Sequence, residues 1–165
     1  MNFKKPLFWD NPKTSFFSYV LVPFSLPIII KNFIAKFIKK EKSSKIKTIC
    51  VGNIYLGGTG KTPLTIKLYE ILKTLNKKVA TVKKNYPDQT DEQLLLEQRT
   101  SLITVDSRKN AIKEGLNHNY DTLIFDDGLQ EMKIDFDLKL VCFKTKTWIG
   151  NGQLIPAGPM REKIS

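Results

Sequence analysis

From Ile46 onward, short apolar runs alternate with stretches whose apolar residues recur every three or four positions. Runs of the first kind predict buried strands, and stretches of the second kind predict amphipathic helices. Ile46–Val51 is apolar and β-branched, and a glycine-rich turn follows it. From Lys61 a helix is expected, with Leu64, Leu68, Leu72 and Leu75 on one stripe and Asn76 as its stop. Val79–Val82 predicts a strand, Asp91–Gln98 a helix and Leu102–Val105 a strand. Asp106 or Ser107 can cap a further helix running to about Leu116. Thr122–Phe125 and Leu138–Phe143 predict two more strands. This alternation predicts an α/β fold, a mainly parallel sheet with helices on both faces. No internal repeat or low-complexity tract interrupts it.

The first 45 residues follow another pattern. Residues 16–30 carry no charge and are mostly apolar. In the next ten residues Phe33, Ile34, Phe37 and Ile38 form an expected helical stripe beside Lys31, Lys36, Lys39 and Lys40. That combination predicts an interfacial amphipathic segment whose lysines reach toward headgroups. The uncharged run of 15 residues, interrupted by Pro23 and Pro27, is short of the roughly 20 needed for a span. A cleaved signal peptide is a poor fit, because no small-x-small site follows the run. A helical hairpin packed on the domain itself is the alternative. Residues 41–45, EKSSK, read as a linker.

Charge sharpens this division. The net charge is +11, and +8 of it lies in residues 1–48. Nucleic acid and anionic membrane are the usual partners of such a patch. Here the lysines interleave with a continuous apolar run, not with isolated stacking aromatics, which favours an anionic membrane surface and argues against nucleic acid. The apolar and charged fractions, 41% and 26%, are those of a globular protein. Cys50 and Cys142 sit in apolar runs and are expected to be reduced core residues. His118 is the only histidine, which excludes a His/Cys metal cluster and a His-based triad.

The strongest chemical signal is Gly57-Gly58-Thr59-Gly60-Lys61-Thr62, between a predicted strand and a predicted helix. Its glycines allow backbone N–H groups to surround phosphate oxygens, Lys61 supplies positive charge, and the Thr62 hydroxyl can face Mg²⁺. The strict motif has glycine six positions before the lysine, where this chain has Tyr55; the glycines at 57 and 58 make it a deviant P-loop. The second signal is Leu123-Ile124-Phe125-Asp126-Asp127-Gly128. By itself a strand ending in Asp-Asp-Gly is often only a turn. Downstream of a P-loop, Asp126 and Asp127 become candidate Mg²⁺ carboxylates. Residues 46–165 therefore read as a P-loop nucleotide-binding domain for ATP and Mg²⁺.

Three blocks carry a resemblance: GNIYLGGTGKTP at 52–63, DDGLQ at 126–130 and GNGQLIPAGPMRE at 150–162. Together they resemble the tetraacyldisaccharide 4′-kinases, the lipid A 4′-kinases of Gram-negative bacteria. The likeness covers nearly the whole chain but only the N-terminal half of that family, so the chain looks like the first part of a longer kinase. The resemblance implies transfer of the ATP γ-phosphate to the 4′-hydroxyl of a tetraacyldisaccharide 1-phosphate, at the cytoplasmic face of the inner membrane. It also implies that Asp91 is the general base, that Glu92 joins Thr62, Asp126 and Asp127 around the metal, and that Arg161 clamps phosphate charge. From the residues alone, Asp91 and Glu92 are equally an acidic pair favoured by a helix N-terminus, and Arg161 a solvated side chain.

The chain departs from the family pattern in two places. Lys83-Lys84-Asn85-Tyr86 stands where many members have Ser-Arg-Gly-Tyr, and Glu131 stands where the family usually has histidine. Two other expectations stay open: a deviant-P-loop ATPase acting as a membrane switch, and a nucleotide-binding fragment without turnover. Such switch ATPases normally carry a lysine before the paired glycines, where this chain has Leu56.

Overall fold

Ser15 caps the first helix, α1 (Phe16–Leu21), its hydroxyl accepting from the Ser18 N–H. Pro23 has no N–H to donate, and the backbone tightens into a 3-10 turn at Val22–Ser25. It resumes as α2 (Leu26–Phe37), with Pro27 in the first turn, where proline is tolerated. The helical run Phe16–Phe37 has 22 residues and is long and apolar enough to cross a membrane, by length and composition only. The shorter run expected from the sequence counted only uncharged residues; Lys31 and Lys36 extend the helix without ending it. Ile38 lies outside the helix in an extended conformation, so the expected stripe reduces to Phe33, Ile34 and Phe37. The computed structural model describes residues 5–43, 45–85 and 90–164; Tyr86, named above, lies outside them.

Contacts group the chain into two units, the first comprising Met1–Ile38, Asn53–Thr59 and Phe143–Ser165. In this unit the long helix is inside out. Ser18 and Ser25 are 0% and 3% exposed, whereas Phe16 and Phe37 are 77% and 75% exposed. Ser18, Ser25 and Asn32 are seven residues apart, two helical turns, and share one face. Each binds the turn-rich block near the end of the chain. Asn151 Nδ2 donates to Ser18 Oγ at 2.9 Å, Ser25 Oγ to the Leu154 carbonyl at 3.1 Å, and Asn32 Nδ2 to the Arg161 carbonyl at 3.1 Å. Residues 151–161 are thus packed by residues that precede them in the chain. Tyr55, Leu154 and Met160 form its small core, with Ile28, Ile54 and Ile149 against them.

Glycine is demanded at Gly158. A Cβ there would stand 2.1 Å from Asn151 Oδ1 and 2.5 Å from the Gln153 carbonyl oxygen. Gly158→Ala is expected to destabilise this unit by about 3 kcal/mol, the upper range of overpacking costs. A lowered urea midpoint by circular dichroism checks this.

The second unit comprises Lys39–Gly52 and Gly60–Cys142. Its elements are β1 (Lys47–Gly52), α3 (Lys61–Thr74), β2 (Val79–Lys84), α4 (Thr90–Arg99), β3 (Leu102–Val105), α5 (Arg108–Asn117), β4 (Thr122–Asp126) and β5 (Leu138–Val141). The strand order is β3-β2-β4-β1-β5, and all four pairings are parallel. Side chains alternate between the faces of a strand. Leu123 and Phe125 accordingly pack with Ile46, Cys50, Val82 and Ala111 of α5, while Ile124 packs with Val51, Val79 and the Leu64, Leu68 and Leu72 stripe of α3. Helices α3 and α5 thus cover opposite faces. Burial on both faces explains why β4 reads as an unbroken apolar run.

Local differences from expectation have simple causes. Leu75 falls just beyond α3 as its C-cap and is 62% exposed. Asn76 adopts the left-handed conformation that ends a helix, at φ 55°. Ser107 occupies the N-cap of α5, but its side chain makes no capping hydrogen bond. β5 ends at Val141, and the Cys142 N–H still donates to the Gly52 carbonyl. Cys50 and Cys142 are buried and form no disulfide. His118 is exposed as the C-cap of α5.

Candidate active site

The glycine-rich loop follows β1: residues Asn53–Thr59 fall in the first unit, and Gly60 precedes α3 in the second. Gly57 and Gly60 have φ of +123° and +81°, conformations that side-chain-bearing residues rarely adopt. A Cβ on Gly57, Gly58 or Gly60 would meet nothing within 4 Å, so the loop borders open space. Asn53 Nδ2 donates to the Gly57 carbonyl at 2.8 Å, which holds the start of the loop. Thr59 Oγ1 is buried with no hydrogen-bond partner among the described residues. A loop with open space along its glycines and an orphaned buried hydroxyl fits a polyphosphate.

Tyr55, where the strict motif has glycine, is a core residue of the first unit. It is buried, and its hydroxyl donates to Asp10 and accepts from Lys5 at 3.0 Å. Burial, then the bond to Asp10, pushes the Tyr55 phenol above its ordinary value. Nearby backbone bonds join residues 54–56 to the C-terminal block of the same unit: Leu56 N–H to the Pro159 carbonyl at 2.8 Å and Arg161 N–H to the Ile54 carbonyl at 2.7 Å. Arg161 therefore has its backbone held from two sides, by Ile54 and Asn32.

In the second unit the start of α3 meets the end of β4. Asp126 is fully buried; its Oδ2 accepts from Thr62 Oγ1 at 3.2 Å and its Oδ1 from Thr65 Oγ1 at 3.4 Å. Asp127 follows in the left-handed conformation, φ 59°, its N–H donating to the Val51 carbonyl at 2.8 Å. That turn brings its carboxylate 3.8 Å from the Lys61 ammonium. Among the described residues no three His, Cys, Asp or Glu side chains converge on one point.

Glu92 belongs to the same group through a residue that the sequence did not single out for the site. Lys83, at the end of β2 and 2% exposed, donates to Glu92 Oε2 at 2.6 Å and to Asp126 Oδ2 at 3.1 Å. Burial alone would push this ammonium down. The charge of Asp126 and the bonds to Glu92 and Asp126 outweigh burial and hold it above the ordinary lysine value. The sequence signal was its place in Lys83-Lys84-Asn85-Tyr86, where the resembled family has serine first. The register supplies the rest: Val82 pairs with Phe125, so Lys83 and Asp126 follow as neighbours on one face. Thr65 was also missed, because a threonine one turn into a helix carries no signature.

Asp91 lies in the first turn of α4 and is exposed. Contacts link Thr62, Asp126 and Glu92 through Lys83, and Lys61 pairs with Asp127; Asp91 is adjacent through Glu92 alone. The histidine replacement Glu131 has a local role, its Oε1 accepting from the Lys133 N–H at 3.1 Å.

The family model of LpxK, the tetraacyldisaccharide-1-P 4′-kinases, matches residues 18–165. The chain belongs to this family. It is 52% identical over its whole length to the tetraacyldisaccharide 4′-kinase of Pelagibacter ubique, covering 52% of that protein. It is 34% identical to that of Psychromonas ingrahamii, over 96% of this chain and 57% of the relative. Among solved structures it resembles LpxK from Aquifex aeolicus in complex with ATP, with a TM-score of 0.72 and 27% identity over 88% of this chain and 54% of that one. The chain thus spans about half the length of the kinases it matches.

Proposed function

We propose that this chain is the ATP-handling part of a kinase that phosphorylates the 4′-hydroxyl of a tetraacyldisaccharide 1-phosphate in lipid A biosynthesis. The observation that carries the reading is the Thr62–Asp126 hydrogen bond beside the Lys61–Asp127 pair, at the point where a glycine loop opens α3. This is the constellation that phosphoryl transfer requires: a phosphate cradle, one cation and a metal-side carboxylate. The matched relatives and the ATP complex of the Aquifex kinase support the same reading.

Gly57, Gly58, Thr59 and Gly60 offer backbone and hydroxyl groups to the phosphates, and the N-terminus of α3 adds its partial positive charge. Lys61 neutralises oxygens of the transferring group. Thr62, Asp126, Asp127 and Glu92 are the groups to hold Mg²⁺, which when bound supplies charge neutralisation across the phosphates. Asp91, accessible at the head of α4, accepts the proton of the acceptor hydroxyl. Arg161 offers a guanidinium to phosphate charge. The helix Phe16–Phe37 seats the protein peripherally on the cytoplasmic face of the inner membrane, where an acylated disaccharide resides.

Transfer of labelled phosphate from ATP to a tetraacylated disaccharide 1-phosphate in mixed micelles tests the reading, and no transfer above a no-acceptor control would refute it. Within that assay the carboxylates separate. Asp91→Asn is expected to lower kcat by about a hundredfold or more with the KM for ATP unchanged, since a base acts on the acceptor. Asp126→Asn is expected to raise the Mg²⁺ concentration needed for half-maximal rate. An Asp91→Asn effect confined to KM for ATP would remove the base assignment.

A further inference from the structure

Lys83 has no role in the chemistry above, yet it makes the closest charged contacts of the site. We infer that Lys83 is a tethered counter-cation that holds the Asp126–Glu92 pair in the absence of nucleotide and makes divalent-metal binding conditional on the triphosphate. The inference rests on the reading of Asp126 and Glu92 as metal-side carboxylates.

The geometry is specific. One ammonium, on a strand, spans a carboxylate on β4 and another on α4, at 3.1 and 2.6 Å. Its tether is enclosed, for Lys83 is 2% exposed and Asp126 fully buried. The same Asp126 oxygen also accepts from Thr62, the candidate metal hydroxyl. A positive charge therefore already stands between two carboxylates that would help hold a divalent ion. Two cations a few ångströms apart in a partly buried site repel strongly.

Charge bookkeeping leads to the same conclusion. Asp126, Asp127 and Glu92 carry three negative charges, against two positive from Lys61 and Lys83. A free divalent ion would meet a net charge of only minus one. A nucleoside triphosphate changes that balance, because it brings its own negative oxygens beside Thr62. Those oxygens would supply the negative charge for a divalent ion that the carboxylates engaged by Lys83 do not. Glu92, with its side chain 47% exposed, lies at the accessible end of the bridge. The chain thereby ties β2, α4 and β4 together before ligand arrives, and a serine at this position could not do so, having neither the reach nor the charge.

Mn²⁺ titration followed by electron paramagnetic resonance tests this without turnover. The unmodified chain is expected to bind no Mn²⁺ more tightly than about 1 mM in the absence of nucleotide, and to take up one ion when ATP is added. Lys83→Met should bind one Mn²⁺ without nucleotide at least about tenfold more tightly. Tight nucleotide-free binding by the unmodified chain overturns the inference, and this arm needs no variant to fold. Equal nucleotide-free affinities in a folded Lys83→Met and the unmodified chain overturn it as well. Failure of the unmodified chain to take up Mn²⁺ with ATP would count against the kinase reading, and the nucleotide-free arms would still decide the role of Lys83.

Discussion

Lys61→Ala is expected to reduce ATP-dependent phosphorylation of the disaccharide by at least about a hundredfold, the usual loss when one preorganised charge-stabilising donor is removed from a phosphoryl-transfer or oxyanion site. Lys61 opens α3, and its side chain is only 11% exposed beside Asp127. The ammonium is thus held by the fold before ligand binds and pays little reorganisation when charge moves onto the transferring oxygens. Alanine removes that charge and leaves Asp127 without the partner 3.8 Å away, so the phosphates would face uncompensated negative charge. Affinity for ATP should fall together with kcat. Lys61→Arg should recover little, because a planar fork on a longer side chain does not replace a point charge on a short one. Steady-state rates, with nucleotide binding measured separately, provide the check. Near-normal turnover of Lys61→Ala would place the phosphate site elsewhere.

The second large effect concerns the membrane. Replacing Phe33, Ile34 and Phe37 with serine is expected to weaken binding to anionic vesicles by about a hundredfold. All three are exposed on α2, and none belongs to the small core of the first unit. Full burial of such a side chain is worth about 1.5–3 kcal/mol, so half-insertion of three gives roughly 3 kcal/mol. Lys31, Lys36, Lys39 and Lys40 are exposed nearby and add about 1 kcal/mol each near anionic lipid, a contribution that salt weakens. The polar face would be left intact, since Ser18, Ser25 and Asn32 keep their partners. Nucleotide binding at Gly57–Thr62 should therefore be unchanged. Co-sedimentation with liposomes, with and without the three changes and at low and high salt, checks this. Equal sedimentation of both forms would make the stripe an ordinary protein-facing surface and remove the membrane seat from the proposed function.

Much of this protein was legible in its sequence, for a physical reason. Strand and helix positions follow from periodicity among near neighbours, and β3 falls where the apolar run Leu102–Val105 predicts it. The glycine loop and the Asp126-Asp127-Gly128 turn are local too, since backbone conformation and charge at consecutive residues define them. What the sequence left undecided depends on residues far apart in the chain. Lys83 reads as one more lysine until the β2–β4 register sets it against a carboxylate 43 positions away. Tyr55 reads as a defect in a phosphate motif until its burial with Leu154 and Met160 makes it core. The seven-residue spacing of Ser18, Ser25 and Asn32 was present throughout, but spacing does not say which face meets protein. Hydrogen bonds to residues 129 and 133 positions onward settle that, and they turn the apolar side outward. Hydrophobic pattern determined where the chain folds locally; only tertiary packing decided which buried charges and hydroxyls meet, because their energies come from partners that no local window contains.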